Sequence, residues 1–222
     1  MNFNIVNQHY YKIMKMPLKI SLIFFILNII HGENDFHSYS KVNLEFKIFP
    51  KLKFKLEQSL RFKSNFSEFN QTFSELSLAY QLNDIFKISV PYRYAIFKEK
   101  TKHRLSISSS LKLDKSPLSY KYRFKFQNTK QTDKDIEYVI RNKVLFSYKI
   151  NKKYRPFISF EYLNPYESEI LKVDEYRFSI GSQINLKNKK SYKVYYLFKK
   201  EDLLKNEPGN VNVIGFDYNF SF

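Results

Sequence analysis

Residues 41 to 62, KVNLEFKIFPKLKFKLEQSLRF, put Val42, Leu44, Phe46, Ile48, Leu52, Phe54, Leu56, Leu60 and Phe62 on even numbers. Asn43, Glu45, Lys47, Lys53, Lys55, Glu57, Ser59 and Arg61 lie between them. A repeat of two is the repeat of a β-strand, whose successive side chains point to opposite faces of a sheet. Two folds satisfy it. In a water-soluble sandwich the apolar face is the core; in a membrane barrel that face meets lipid and the charged face lines the interior.

The same period predicts strands near 38–49, 52–63, 73–82, 85–98, 104–113, 118–127, 138–150, 154–163, 175–186, 191–200 and 211–222. Each is about ten residues long, the length a tilted strand needs to cross hydrocarbon, whereas soluble strands more often stop at about five or six. Short connections such as Pro50-Lys51, Asn83-Asp84 and Asp114 to Pro117 alternate with polar stretches at 64–72, 128–137, 164–174 and 201–210, read as loops of about ten residues. Short turns on one side and longer loops on the other are the habit of outer-membrane barrels. No helical period and no repeated copy of sequence occurs after the first 32 residues.

Comparing faces strengthens the barrel. Leu76, Leu78, Tyr80, Ile88, Val90, Tyr92, Tyr94, Ile96, Tyr120, Tyr122, Phe124 and Phe126 share one face; Glu75, Ser77, Lys87, Ser89, Arg93, Lys121, Arg123, Lys125 and Gln127 share the other. Arg104, Ser106, Ser108, Ser110 and Lys112 likewise oppose Leu105, Ile107, Leu111 and Leu113. In hydrocarbon each unpaired backbone group costs several kcal/mol, so a strand-built membrane protein must close on itself and turn its charges inward.

The N-terminus has another texture. Lys12, Lys15 and Lys19 precede the apolar run ISLIFFILNII and a small residue, Gly32. That run is too short to span a bilayer and reads as a secretory signal over 1–32, leaving a single barrel domain over 33–222. The signal carries three Lys and no acid, so its removal lowers the formal net charge from +17 to +14. Such a balance favours anionic partners, but the Lys and Arg are spread through the alternation rather than gathered in blocks.

The segments KLKFKLEQSLRF, LAYQL, YRYAIF, YKYRFKF, PFISFEY, YRFSIG and VIGFDYNFSF resemble the outer-membrane β-barrel family catalogued as domain of unknown function 2490, over residues from about 38 to 222. The resemblance implies location in the bacterial outer membrane and this architecture, and implies no activity. Its inward Arg and Glu positions map onto Glu57, Arg61, Arg93, Arg123, Arg141, Glu161 and Arg177. Tyr39 stands near where the family often has Trp. Phe216, Tyr218, Phe220 and Phe222 alternate with polar residues at the end of the chain and look like the signal by which the barrel-assembly machinery recognises such proteins.

The expected fold is therefore all-β, a transmembrane antiparallel up-and-down barrel of ten to twelve strands, with twelve preferred because bacterial barrels normally have even numbers. Its surroundings would be outer-membrane lipid and lipopolysaccharide. The expected lumen network is Glu45, Glu57, Arg61, Glu75, Arg93, Arg104, Arg123, Arg141, Glu161, Arg177 and Asp217. These charges either pair and fill a structural interior, the reading favoured for a barrel of this size, or leave excess base lining a small anion-favouring pore. A secreted basic protein that binds nucleic acid or another polyanion is the reading from a different class. Catalysis is not expected: His37 and His103 stand near strand or loop ends as rim or solvated residues, with no Ser pattern marking a base. No cofactor is expected, and the Asp133 to Asp135 stretch reads as a solvated loop rather than a calcium site.

Overall fold

The computed structural model describes residues 35–132, 134–166 and 172–222. The secretory signal expected over 1–32, and Asp133, lie outside them. Eleven strands follow one another: β1 (Asp35–Phe49), β2 (Leu52–Lys63), β3 (Glu68–Gln81), β4 (Phe86–Phe97), β5 (Thr101–Lys115), β6 (Leu118–Gln131), β7 (Glu137–Tyr148), β8 (Tyr154–Pro165), β9 (Glu175–Asn185), β10 (Lys190–Glu201) and β11 (Gly209–Ser221). Each pairs antiparallel with the next, and β1 pairs with β11 to close the barrel.

An odd meander can close in one way only. β1 and β11 run in the same direction, and they pair in parallel from Asp35↔Val211 to Glu45↔Ser221. Eleven falls within the expected ten to twelve strands, and only the preference for twelve, an even number, is corrected. β1 begins at Asp35, so the described residues before Ser40 form its first part.

Connections at the end where odd-numbered strands finish span two to five residues, and those at the other end three to nine. The alternation of short and long holds on average, but the expected ten-residue loops are corrected. β6 continues to Gln131 and β3 begins at Glu68. At these strand ends both faces carry polar residues, and backbone pairing continues where the hydrophobic period has faded. The β9–β10 connection turns through Asn188 (φ 57°) and Lys189 (φ 53°). Two consecutive left-handed residues match the twist of a tight hairpin.

The distribution of apolar residues is the reverse of a soluble domain's. Among the described residues forty large hydrophobics are exposed, and only eight hydrophobic residues are buried. Along β5 the exposed Leu105 and Ile107 alternate with the buried Ser106 and Ser108. The apolar set forms the outer wall, and small and charged residues form the inside.

Candidate functional site in the barrel lumen

Inward-facing charges meet across strands because the register brings them side by side. Glu75 on β3 is opposite Arg93 on β4, and Glu161 on β8 is opposite both Lys143 on β7 and Arg177 on β9. Two acidic centres result. Arg93 reaches Glu75 at 2.7 Å and Glu57 at 4.0 Å, while Lys55 reaches Glu57 at 2.8 Å. Glu161 receives Arg123 at 2.8 Å, Arg141 at 2.9 Å and Arg177 at 3.9 Å. Asp217 is paired with Lys41 at 3.0 Å, and Glu175 with Arg177.

Aromatic residues hold one wall. The Arg61 guanidinium lies 4.1 Å from the Tyr39 ring centre and 5.0 Å from that of Phe73, and Arg93 covers Phe73 at 3.7 Å. Phe73 is almost fully buried although it points inward. A guanidinium stacks on a ring face through its planar, weakly hydrated surface, so this ladder fixes two arginines where they face the lumen. Tyr195 on β10 is flanked on both sides by glycine, Gly181 on β9 and Gly215 on β11.

Two cavities occupy the interior. An outer vestibule of about 460 Å³ opens toward the long-loop end and is lined by residues such as Asp35, Lys63, Lys102 and Glu201. A central chamber of about 290 Å³ lies below it. Tyr39, Arg61, Arg93, Arg104, Arg177 and Leu197 line both, and so form the neck between them. Eleven Lys and Arg face the chamber against four carboxylates.

Of the eleven residues expected on the lumen, ten line this chamber; Glu45 does not, and it pairs with Lys53 at 2.6 Å toward the short-turn end. Lys143 and Lys193, and the inward Phe73 and Tyr195, were not singled out from sequence, and Lys125 was placed on the polar face without being assigned to the network. Their place in the alternation was the available signal. His103 faces outward, its Nδ1 2.7 Å from the Tyr92 hydroxyl. His37 stands at the rim and is buried there rather than solvated, with Nε2 2.6 Å from Asp35. Phe216 on β11 and Phe222 just after it are exposed on the outer face, and Phe222 stacks on Phe46 with ring centres 4.9 Å apart.

A closed barrel with an apolar outer wall, no helix among the described residues and a charged interior has the fold of outer-membrane β-barrels. The NanC porin resembles it with a TM-score of 0.54 and 10% identity, over 80% of this chain and 93% of that one. A protein described as a bacterial polysaccharide outer membrane secretin has a TM-score of 0.50 and 10% identity, over 70% of this chain; the alignment spans 60% of the secretin's length. A family model described as "Protein of unknown function (DUF2490)" matches residues 36–209, and the chain belongs to that family. No curated protein sequence matches it.

Proposed function

We propose that this protein sits in the bacterial outer membrane and forms a narrow, anion-favouring passage. The observation that carries the reading is the neck: four arginines, Arg61, Arg93, Arg104 and Arg177, ring the junction of vestibule and chamber. Rings of Arg and Lys favour anions, because a low-dielectric wall focuses their field on whatever enters. Two adjoining cavities that share lining residues favour the passage over the fully filled structural interior. The inward direction of much of the base argues against a nucleic-acid surface, since the outer wall between the two ends is mainly apolar.

The same reading sets the outer wall against lipid, with lipopolysaccharide around the long-loop end. It makes β11, with its outward Phe216, Tyr218, Phe220 and Phe222, the element engaged by the assembly machinery. No catalytic role is proposed.

Reversal potential in planar bilayers under a KCl gradient tests the passage. Current steps with the sign of chloride preference support it. Full insertion without current steps returns the reading to a sealed structural barrel.

A further inference from the structure

The central chamber holds more positive charge than its own residues can neutralise. Its four carboxylates, Glu57, Glu75, Glu161 and Asp217, each already have a cation within 4.0 Å. Five of its cations, Arg61, Arg104, Lys125, Lys143 and Lys193, have no carboxylate within that distance among the described residues. Like charges enclosed by a low-dielectric wall repel strongly. An ammonium can relieve this by losing its proton, but a guanidinium cannot. Arg61 and Arg104 therefore keep their charge, and an anion entering the chamber would compensate it.

Geometry narrows the class of that anion. Arg61 is fixed by Tyr39 and Phe73, and its buried Nε has no hydrogen-bond partner among the described residues. Arg104 is fixed by a 3.0 Å hydrogen bond from its Nε to Thr129 Oγ1. Lys125 is buried, and in the sheet it lies beside Ser108 and Arg141. Donors held in advance lose little freedom on binding, and forked guanidinium N–H groups match an anion with several oxygens better than a halide. A volume of about 290 Å³ admits a tetrahedral oxyanion or its ester with a small organic group.

We propose that the central chamber is a binding site for a small multivalent oxyanion, a phosphate or sulfate group, held by Arg61, Arg104, Lys125 and Lys143. The site deepens the anion-favouring reading of the lumen and rests on it. It is reached from the vestibule through the arginine neck.

Isothermal titration of the full chain, refolded in detergent, uses inorganic phosphate, glucose 6-phosphate and chloride at matched ionic strength. Saturable binding of either phosphate probe above chloride is expected, and the tighter of the two tells free anion from ester. The double substitution Arg104→Gln, Lys125→Gln should weaken binding about a hundredfold, the scale of two lost charge-assisted hydrogen bonds. Glu57→Gln, which removes a competing chamber carboxylate, should tighten binding, an effect that misfolding does not mimic. Phosphate heats no larger than those of chloride, or a double variant that binds like the parent, would overturn the site. Binding without current sinks the passage and keeps the site; current without binding does the reverse.

Discussion

Gly215 lies beneath the ring of Tyr195: a Cβ at Gly215 would fall 2.1 Å from the ring's Cζ atom. On the other side of Tyr195, a Cβ at Gly181 would fall 2.4 Å from the Val194 carbonyl oxygen and 2.9 Å from Tyr195 Cα. The first clash is with a ring that can swing away, and the second is with backbone. Overpacking costs typically 1–3 kcal/mol, so Gly215→Ala should cost about 1 kcal/mol and Gly181→Ala about 3. Adding Tyr195→Ala should rescue the former and not the latter, as read by urea unfolding in micelles.

Glu161 accepts hydrogen bonds from both Arg123 and Arg141 on a single oxygen, and it is nearly inaccessible. Removing one partner of a buried ion pair leaves the other charge uncompensated, at a cost of about 3–5 kcal/mol. Glu161→Gln should destabilise the barrel by about 3 kcal/mol and lower the temperature at which its compact gel band is lost. Glu45→Gln, whose carboxylate is partly exposed at the turn end, should change stability by less than about 1 kcal/mol.

Arg61 combines charge with a planar face. Arg61→Lys keeps the charge and loses the stack on Tyr39 and Phe73. Cation–π contacts contribute about 0.5–2 kcal/mol, so a loss near 1 kcal/mol is expected, with the sign of the reversal potential unchanged.

Lys189 occupies a left-handed position in the β9–β10 turn, where glycine avoids the steric cost of a Cβ. Lys189→Gly should stabilise the barrel by about 0.5–1 kcal/mol, visible as a higher urea midpoint with an unchanged slope.

How far the sequence reached follows from what a period of two encodes. It assigns each residue a face, and it therefore put Arg93 and Arg104 inside without any structural knowledge, while Glu161 was placed there by the family resemblance. It does not encode register. That Glu161 collects guanidiniums from β6, β7 and β9 depends on the stagger of those strands, and elsewhere irregularities between Lys47 and Phe49 and between Arg61 and Phe62 shift it further. Face assignment also carries no rule that an inward residue is polar, so Phe73 was hidden in plain alternation. The range of ten to twelve strands included the observed eleven; the preference for twelve missed because parity came from the habit of other barrels, and nothing in these residues forbids a parallel closing pair. Two of the chain's four glycines flank Tyr195, a relationship visible only once β9, β10 and β11 are aligned.

The central claim is the sidedness of the wall, and β5 tests it within two adjacent residues. The chain has no cysteine, so Ile107→Cys and Ser108→Cys each introduce a single labelling site. A fluorophore at each position, in protein refolded into bilayers, is challenged with a lipid-bound quencher and with aqueous iodide. The account predicts that the label at 107 is quenched from the lipid and shielded from iodide, and that the label at 108 is not quenched from the lipid. Lipid quenching at 108, or iodide quenching at 107 as strong as for free dye, would contradict it.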